Sequence, residues 1–145
     1  MNAMEKAIDL LLCIGILFLI PLLYFDSQRR TLQAIFVGQT AEMFMNRVSV
    51  EGEITVHAMT ELERMLHELG NVQYEIQREY YLYEPGDRDK VLETVHRMGT
   101  EDIVEELEMN GGVWLRKGDT IRLLLYCGEV PVMYSTSIRT GGEFR

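Results

Sequence analysis

An α+β fold is predicted, with a long N-terminal helix followed by a small antiparallel sheet packed with short helices. Three observations carry that prediction. Residues 10–25, LLLCIGILFLIPLLYF, are sixteen residues without a charge or a strongly polar side chain. From Asp26 to Val48 the sequence stays compatible with a helix, with no proline and the single glycine Gly38. From residue 72 onward, most apolar positions repeat with the period of a strand, broken by Gly, Pro and Asn. The expected layout is an anchor over 1–30, an amphipathic extension of the same helix over 31–50, and a small α+β head over 51–145. A length of 145 residues sets a prior of one modest domain.

The apolar run reaches nineteen residues when extended back through Ala7, Ile8 and Asp9, close to what a hydrocarbon core of roughly 30 Å requires. Tyr24 and Phe25 close it as interfacial aromatics, and Asp26, Arg29 and Arg30 follow at once. A cleaved signal peptide fits less well: Lys6 is the one basic side chain ahead of the run, and Asp26-Ser27-Gln28 is no small-x-small cleavage site. A buried helix of a soluble core would carry a polar face, which this run lacks. The expectation is therefore an uncleaved single span in the cytoplasmic membrane. Positive charge, Lys6 and the amino group against Arg29 and Arg30, leans toward a cytoplasmic C-terminal domain.

Beyond the span, Leu32, Ile35, Phe36, Met43, Phe44 and Val48 suit one amphipathic stripe. Residues 3–48 as one helix would extend about 69 Å. Glu51-Gly52-Glu53 breaks it. A second helix starts with Thr55 as N-cap, repeats Val56, Met59, Leu62, Leu66 and Leu69, and ends at Gly70-Asn71. Residues 72–83 alternate as a half-buried strand, with Val72, Tyr74, Ile76, Tyr80 and Leu82 on one face; Arg78 interrupts that face, as it would near a sheet edge. Glu84-Pro85-Gly86-Asp87 signals a turn. Residues 88–98 are ambiguous, with Val91, Leu92, Val95 and Met98 allowing one short helix. Thr100 caps a further helix through Met109, which Asn110-Gly111-Gly112 ends. Val113-Trp114-Leu115 and 120–127 flank Lys117-Gly118-Asp119 as a hairpin, and 130–138 adds a strand that Pro131 keeps at an edge or delays in pairing. That makes about four strands.

The charge distribution excludes one class of partner. Residues 1–30 carry three basic and three acidic side chains, so the whole net charge of −9 lies in residues 31–145. With no clustered Lys/Arg stripe, nucleic-acid binding is not expected. Nor does the sequence offer a catalytic constellation. His67-Glu68 lacks the second histidine of a metalloprotease motif, and His57 and His67, ten residues apart on one helix, are roughly 15 Å apart along its axis. Cys127 reads as a buried strand cysteine, and no disulfide with Cys13 is expected. Glu84, Asp87 and Asp89 form an acidic loop without known calcium-ligand spacing, better read as a solvated turn. Tyr80, Tyr81, Tyr83 and Trp114 are expected to serve packing. No cofactor and no metal are expected.

Glu5 and Asp9 are one helical turn apart at the membrane boundary, where a carboxylate is costly unless it meets water or a cation. Lys6 can pair with Asp9. Either both acids snorkel to the headgroups, or Glu5 meets a cation on a neighbouring copy and sets the register of packed anchors.

Glu5 near the start, an apolar helix broken by Pro21, and an amphipathic continuation into a small α+β head resemble the type IV pilin-like proteins. More closely, the stretches LLLCIGILFLIPLLYF, HELGNVQYEIQREYYLYEPG and WLRKGDTIRLLL are similar to minor-pilin or pseudopilin-like proteins of Tad-type pilus clusters in Firmicutes. The resemblance implies a non-enzymatic subunit packing in a pilus or pseudopilus, with its head outside the cytoplasm, against the charge count. It places contacts between subunits at Glu5, Asp9, Leu10, Ile14, Leu17 and Pro21. In that family the acid at Glu5's position pairs with a neighbour's N-terminal amine during assembly. The implied partners are the lipid bilayer, other copies or other pilin-like subunits, and pilus or secretion machinery. Three family features are not expected here: a leader glycine before a peptidase cut, a phenylalanine at the start, and a cysteine pair closing a C-terminal loop. The alternatives are a single-span scaffold or assembly component and, third, an anchored ligand-sensing domain or enzyme.

Overall fold

The computed structural model describes residues 2–85, 91–128 and 130–140, with the backbone alone for 82–85 and 91–94. It is α+β: a long apolar N-terminal helix, then antiparallel sheets and short helices. Two compact units divide the chain, residues 1–36 and 37–145.

Helix α1 spans Ala3–Glu51. Its residues 3–36 make up nearly all of the first unit, and not one of them is buried. By length and composition this helix can cross a membrane. It runs on through Pro21, so the expected break is absent. Proline removes the bond to the Leu17 carbonyl, but its fixed φ is already helical.

In the second unit the remaining turns of α1 bury Val37, Thr40, Ala41, Phe44, Met45, Val48 and Ser49. That corrects the expected stripe, of which Phe44 and Val48 are buried while Leu32, Ile35, Phe36 and Met43 are exposed. The buried row mixes large and small side chains, from Phe44 and Met45 to Ala41 and Ser49, and meets β6 through side chains. A Cβ on Gly38 would stand 3.0 Å from the Tyr134 hydroxyl, and Ser49 Oγ donates to the Ser137 carbonyl at 2.9 Å. Gly52, at φ 69°, ends the helix.

Strand β1 (Glu53–Thr55) leads into helix α2 (Val56–Glu68). Thr55 caps α2 as expected, its Oγ1 accepting from the Ala58 N–H at 3.1 Å. Gly70 and Asn71, both at positive φ, close it. Strand β2 (Gln73–Pro85) pairs with β3 (Val91–Met98) and with β5 (Thr120–Tyr126), and β6 (Val132–Ser137) pairs with β5, giving the antiparallel order β3-β2-β5-β6. The short helix allowed over 88–98 is therefore a strand from Val91 on: the ladder from Arg78↔Met98 to Pro85↔Val91 satisfies its backbone. Residues 86–90 of the expected turn and of that segment lie outside the described residues. Helix α3 (Thr100–Asn110) follows. Its N-cap is Gly99, not Thr100: the Thr100 hydroxyl instead accepts from Ile76 N and donates to Ile76 O, tying α3 to β2.

The expected hairpin at Lys117-Gly118-Asp119 does not form. β4 (Gly112–Trp114) pairs with β1, placing Ile54 opposite Val113, both fully buried. Among the described residues the strands therefore number six in two sheets, against about four expected. β6 is an edge strand and its pairing begins at Val132, just after Pro131, as the proline requires. The core gathers α1, α2 and α3 side chains on one face of the larger sheet, around Ile76, Ile121, Leu123 and Leu125.

Candidate functional site

The anchor's surface follows from helical geometry. At about 100° per residue, Leu10, Ile14, Leu17 and Pro21 fall within an arc of roughly 60°. Glu5 and Asp9 lie roughly 130° around from that row. They border instead the side on which Ile8, Leu11, Leu12, Gly15, Ile16 and Leu19 line a shallow apolar groove. Gly15 deepens it, since a Cβ there would meet nothing within 4 Å. The structure thus brings Leu10, Ile14, Leu17 and Pro21 together and sets the two acids apart from them. Leu17 is 70% exposed, and none of the described residues covers the row. Lys6 and Asp9 form no ion pair; among the described residues the anchor's own pair is Arg30–Asp26 at 3.1 Å.

Inside the head the dominant polar feature is one that sequence reasoning misplaced. Arg78 occupies an interior strand, not an edge, and is 7% exposed; Asp119 is 4% exposed. Arg78 Nε and Nη2 donate to Asp119 Oδ2 at 3.0 and 2.7 Å, and the Arg116 N–H donates to the same oxygen at 2.9 Å. The Tyr80 ring lies 4.9 Å beneath the guanidinium, and His96 stacks on Tyr80 at 5.4 Å. The cation on the core face of β2 is the trace this pair leaves in the sequence; its partner 41 residues away leaves none. Three donors converge on Asp119 Oδ2, so the pair holds the 116–119 loop against β2.

On the sheet's other face, Glu79 sits between two arginines. Arg97 Nε and Arg122 Nη1 each stand 3.3 Å from Glu79 Oε2, ion-paired without hydrogen-bond alignment. Tyr74 Oη donates to Glu63 Oε1 at 2.5 Å. Partial burial first, then that bond and the carboxylate's charge, push the Tyr74 phenol well above its usual range.

A groove of about 130 Å³ separates α1 from α2, with Met43, Phe44, Leu62 and Met65 among its walls. Arg47 at its rim pairs with Glu51 at 3.1 Å and Glu61 at 3.3 Å, and His57 Nε2 stands 3.8 Å from the same Glu61 oxygen. Among the described residues, no three His, Cys, Asp or Glu side chains converge as metal ligands. Asp87 and Asp89 of the acidic loop, and the side chains of Glu84 and Tyr83, lie outside the described residues. Cys13 and Cys127 are free thiols, and Cys127, half-buried just after β5, packs against the core. Trp114 corrects the packing expectation: it is 72% exposed on the β1–β4 ribbon, apart from Tyr80 and Tyr81 on β2.

No known protein family, characterised protein or solved structure matches the chain. The likeness that can be stated is architectural: a long apolar N-terminal helix followed by a small antiparallel sheet.

Proposed function

We propose that the protein is a non-enzymatic, membrane-anchored, pilin-like subunit, packing through its N-terminal helix in a pilus or pseudopilus with its head outside the cytoplasm. One observation supports this reading. α1 carries wholly exposed apolar turns over residues 10–25, and the same helix supplies core residues from Val37 on. Such a run needs a solvent of its own, lipid or other apolar helices. In this reading the bilayer stores the anchor, and copies of the chain or other pilin-like subunits replace lipid around Leu10, Ile14, Leu17 and Pro21. Glu5 and Asp9, on a different side, set register or reach the headgroups.

The test is fractionation. Cells bearing a C-terminally tagged chain are sheared gently, and the filament, membrane and soluble fractions are blotted. Chain in sheared filaments supports both the subunit role and the external head. Glu5→Ala is then expected to leave membrane insertion intact and deplete the filament fraction; normal assembly would remove Glu5 from the register. Chain confined to the membrane favours a second reading, a single-span scaffold or assembly component, for which the groove between α1 and α2 offers an apolar side-chain socket. Chain in the soluble fraction overturns both.

A further inference from the structure

Among the described residues, the head carries an exposed corner that is both basic and aromatic. Trp114 projects from β4, and Leu115, buried and bonded through its N–H to the Gly52 carbonyl at 2.9 Å, pins the chain behind it. The loop that follows is equally fixed. Arg78 holds Asp119, the Gly118 N–H donates to Ile138 O at 3.1 Å, and the Ile138 N–H donates to Asp119 O at 2.9 Å. These bonds bring exposed Lys117, with Arg116 before it, beside exposed Arg139. Among the described residues, Asp119 is committed to Arg78 and Glu51 to Arg47, and Glu53 lies opposite Trp114.

Helix α3 is the opposite surface. Its eleven residues contain five acids and no base. Glu101, Glu105 and Glu108, spaced four and three apart, form an exposed row that makes no ion pair among the described residues, and Met109 beside it is 71% exposed. Glu101 in the first turn favours the helix dipole, but Glu108 in the last turn opposes it, so the dipole does not account for the row as a whole.

We propose that the Trp114–Lys117–Arg139 corner of one copy docks on the α3 face of a second copy of this chain. The ammonium and guanidinium groups would meet the glutamate row, and the indole would cover Met109. Sulfur–aromatic contact and charge complementarity act together there, and local attraction offsets the general repulsion of two chains at −9 each. The inference deepens the proposed subunit role by naming a contact between heads, and it rests on that reading for why copies meet.

The experiment uses the full chain in detergent micelles, mixing ¹⁵N-labelled and unlabelled copies. A zero-length carbodiimide cross-linker joins Lys117 to any carboxylate in direct contact with it. Expected are mixed-isotope cross-links from Lys117 to Glu101, Glu105 or Glu108, largely lost at 1 M salt, where the Debye length is about 3 Å against about 10 Å at 0.1 M. Two charge-reversed chains, K117E/R139E and E101K/E105K/E108K, should each fail to self-associate through this contact and should associate with each other when mixed. A photo-crosslinker at Leu17 reports anchor packing separately. Copies joined at Leu17 with no mixed-isotope link from Lys117 to α3 overturn the head contact and leave the subunit reading standing. Links from Lys117 without any at Leu17 support the head contact and count against anchor packing. Quenching of Trp114, the sole tryptophan, by brominated anionic lipid with no such link overturns the proposal in favour of a membrane-facing corner.

Discussion

Residues 3–36 and 37–51 belong to one helix and obey different solvents. In the first stretch apolar side chains point in every direction and none is buried. In the second, the buried row is Val37, Thr40, Ala41, Phe44, Met45, Val48 and Ser49, with two hydroxyls and an alanine among its members. Hydrophobicity alone therefore ranks the wrong part of α1 as core. Burial in the head follows the face that packs on the sheet's side chains, where the Tyr134 hydroxyl reaches Gly38, and satisfied polar atoms such as Ser49 Oγ. In the anchor, none of the described residues covers the apolar side chains.

The largest expected effect comes from the head alone. Asp119→Ala strands the Arg78 guanidinium inside the core and frees the 116–119 loop, which should cost about 3–5 kcal/mol. Chemical denaturation of the full chain in detergent checks this, and Arg78→Met together with Asp119→Ala should recover much of the loss. Equal losses for the single and double variants would mean that the pair contributes through its loop bonds and not its charge. Next comes the anchor. Ile14→Arg should cost about 2.5–3.5 kcal/mol of insertion and deplete the membrane fraction. The head's unfolding midpoint should not move; if it does, the two regions are less separable than their burial indicates.

Gly38→Ala tests the contact with the Tyr134 side chain. Alanine gains about 1 kcal/mol of helix propensity, which the 3.0 Å contact with Tyr134 opposes, so the single change should be nearly neutral. In a Tyr134→Phe background the same change should stabilise by about 1 kcal/mol. No difference between the two backgrounds would show that the helix shifts freely on the sheet. The smallest effect is the pH dependence of Tyr74. Its phenol keeps its proton in the fold after the unfolded chain has lost it, so stability should fall as pH rises above 10.0 and stay unaffected below. The slope cannot exceed about 1.4 kcal/mol per pH unit, because one proton titrates. Tyr74→Phe should remove that part of the decline, read as the unfolding midpoint between pH 9 and 11.

Periodicity and end signals made much of this chain legible in its sequence. The long helix, Thr55 as cap, the stop at Gly70-Asn71, the alternation of 72–83 and the effect of Pro131 all depend on residues close in the chain. What failed were the choices between partners. Val91–Met98 became a strand because β2 offered a ladder, and Val113-Trp114 left its expected hairpin because β1 offered another. Arg78 read as an edge residue because Asp119, its reason for being inside, is 41 residues away. Of the anchor residues, the row from Leu10 to Pro21 was named through the resemblance, and the offset of Glu5 and Asp9 from it needed the helical angles to be followed around. The exposure of Trp114 had no sequence signal, since strand alternation does not say which sheet a short strand joins.

Charge-free length and local period act without reference to the rest of the chain, and they announce the long apolar N-terminal helix and the α+β head that follows it. Only the tertiary structure decided which face of α1 enters the core, which strands pair, and how Arg78 is neutralised. Those outcomes depend on contacts between residues distant in sequence, where several partners satisfy the same local pattern and packing selects one of them.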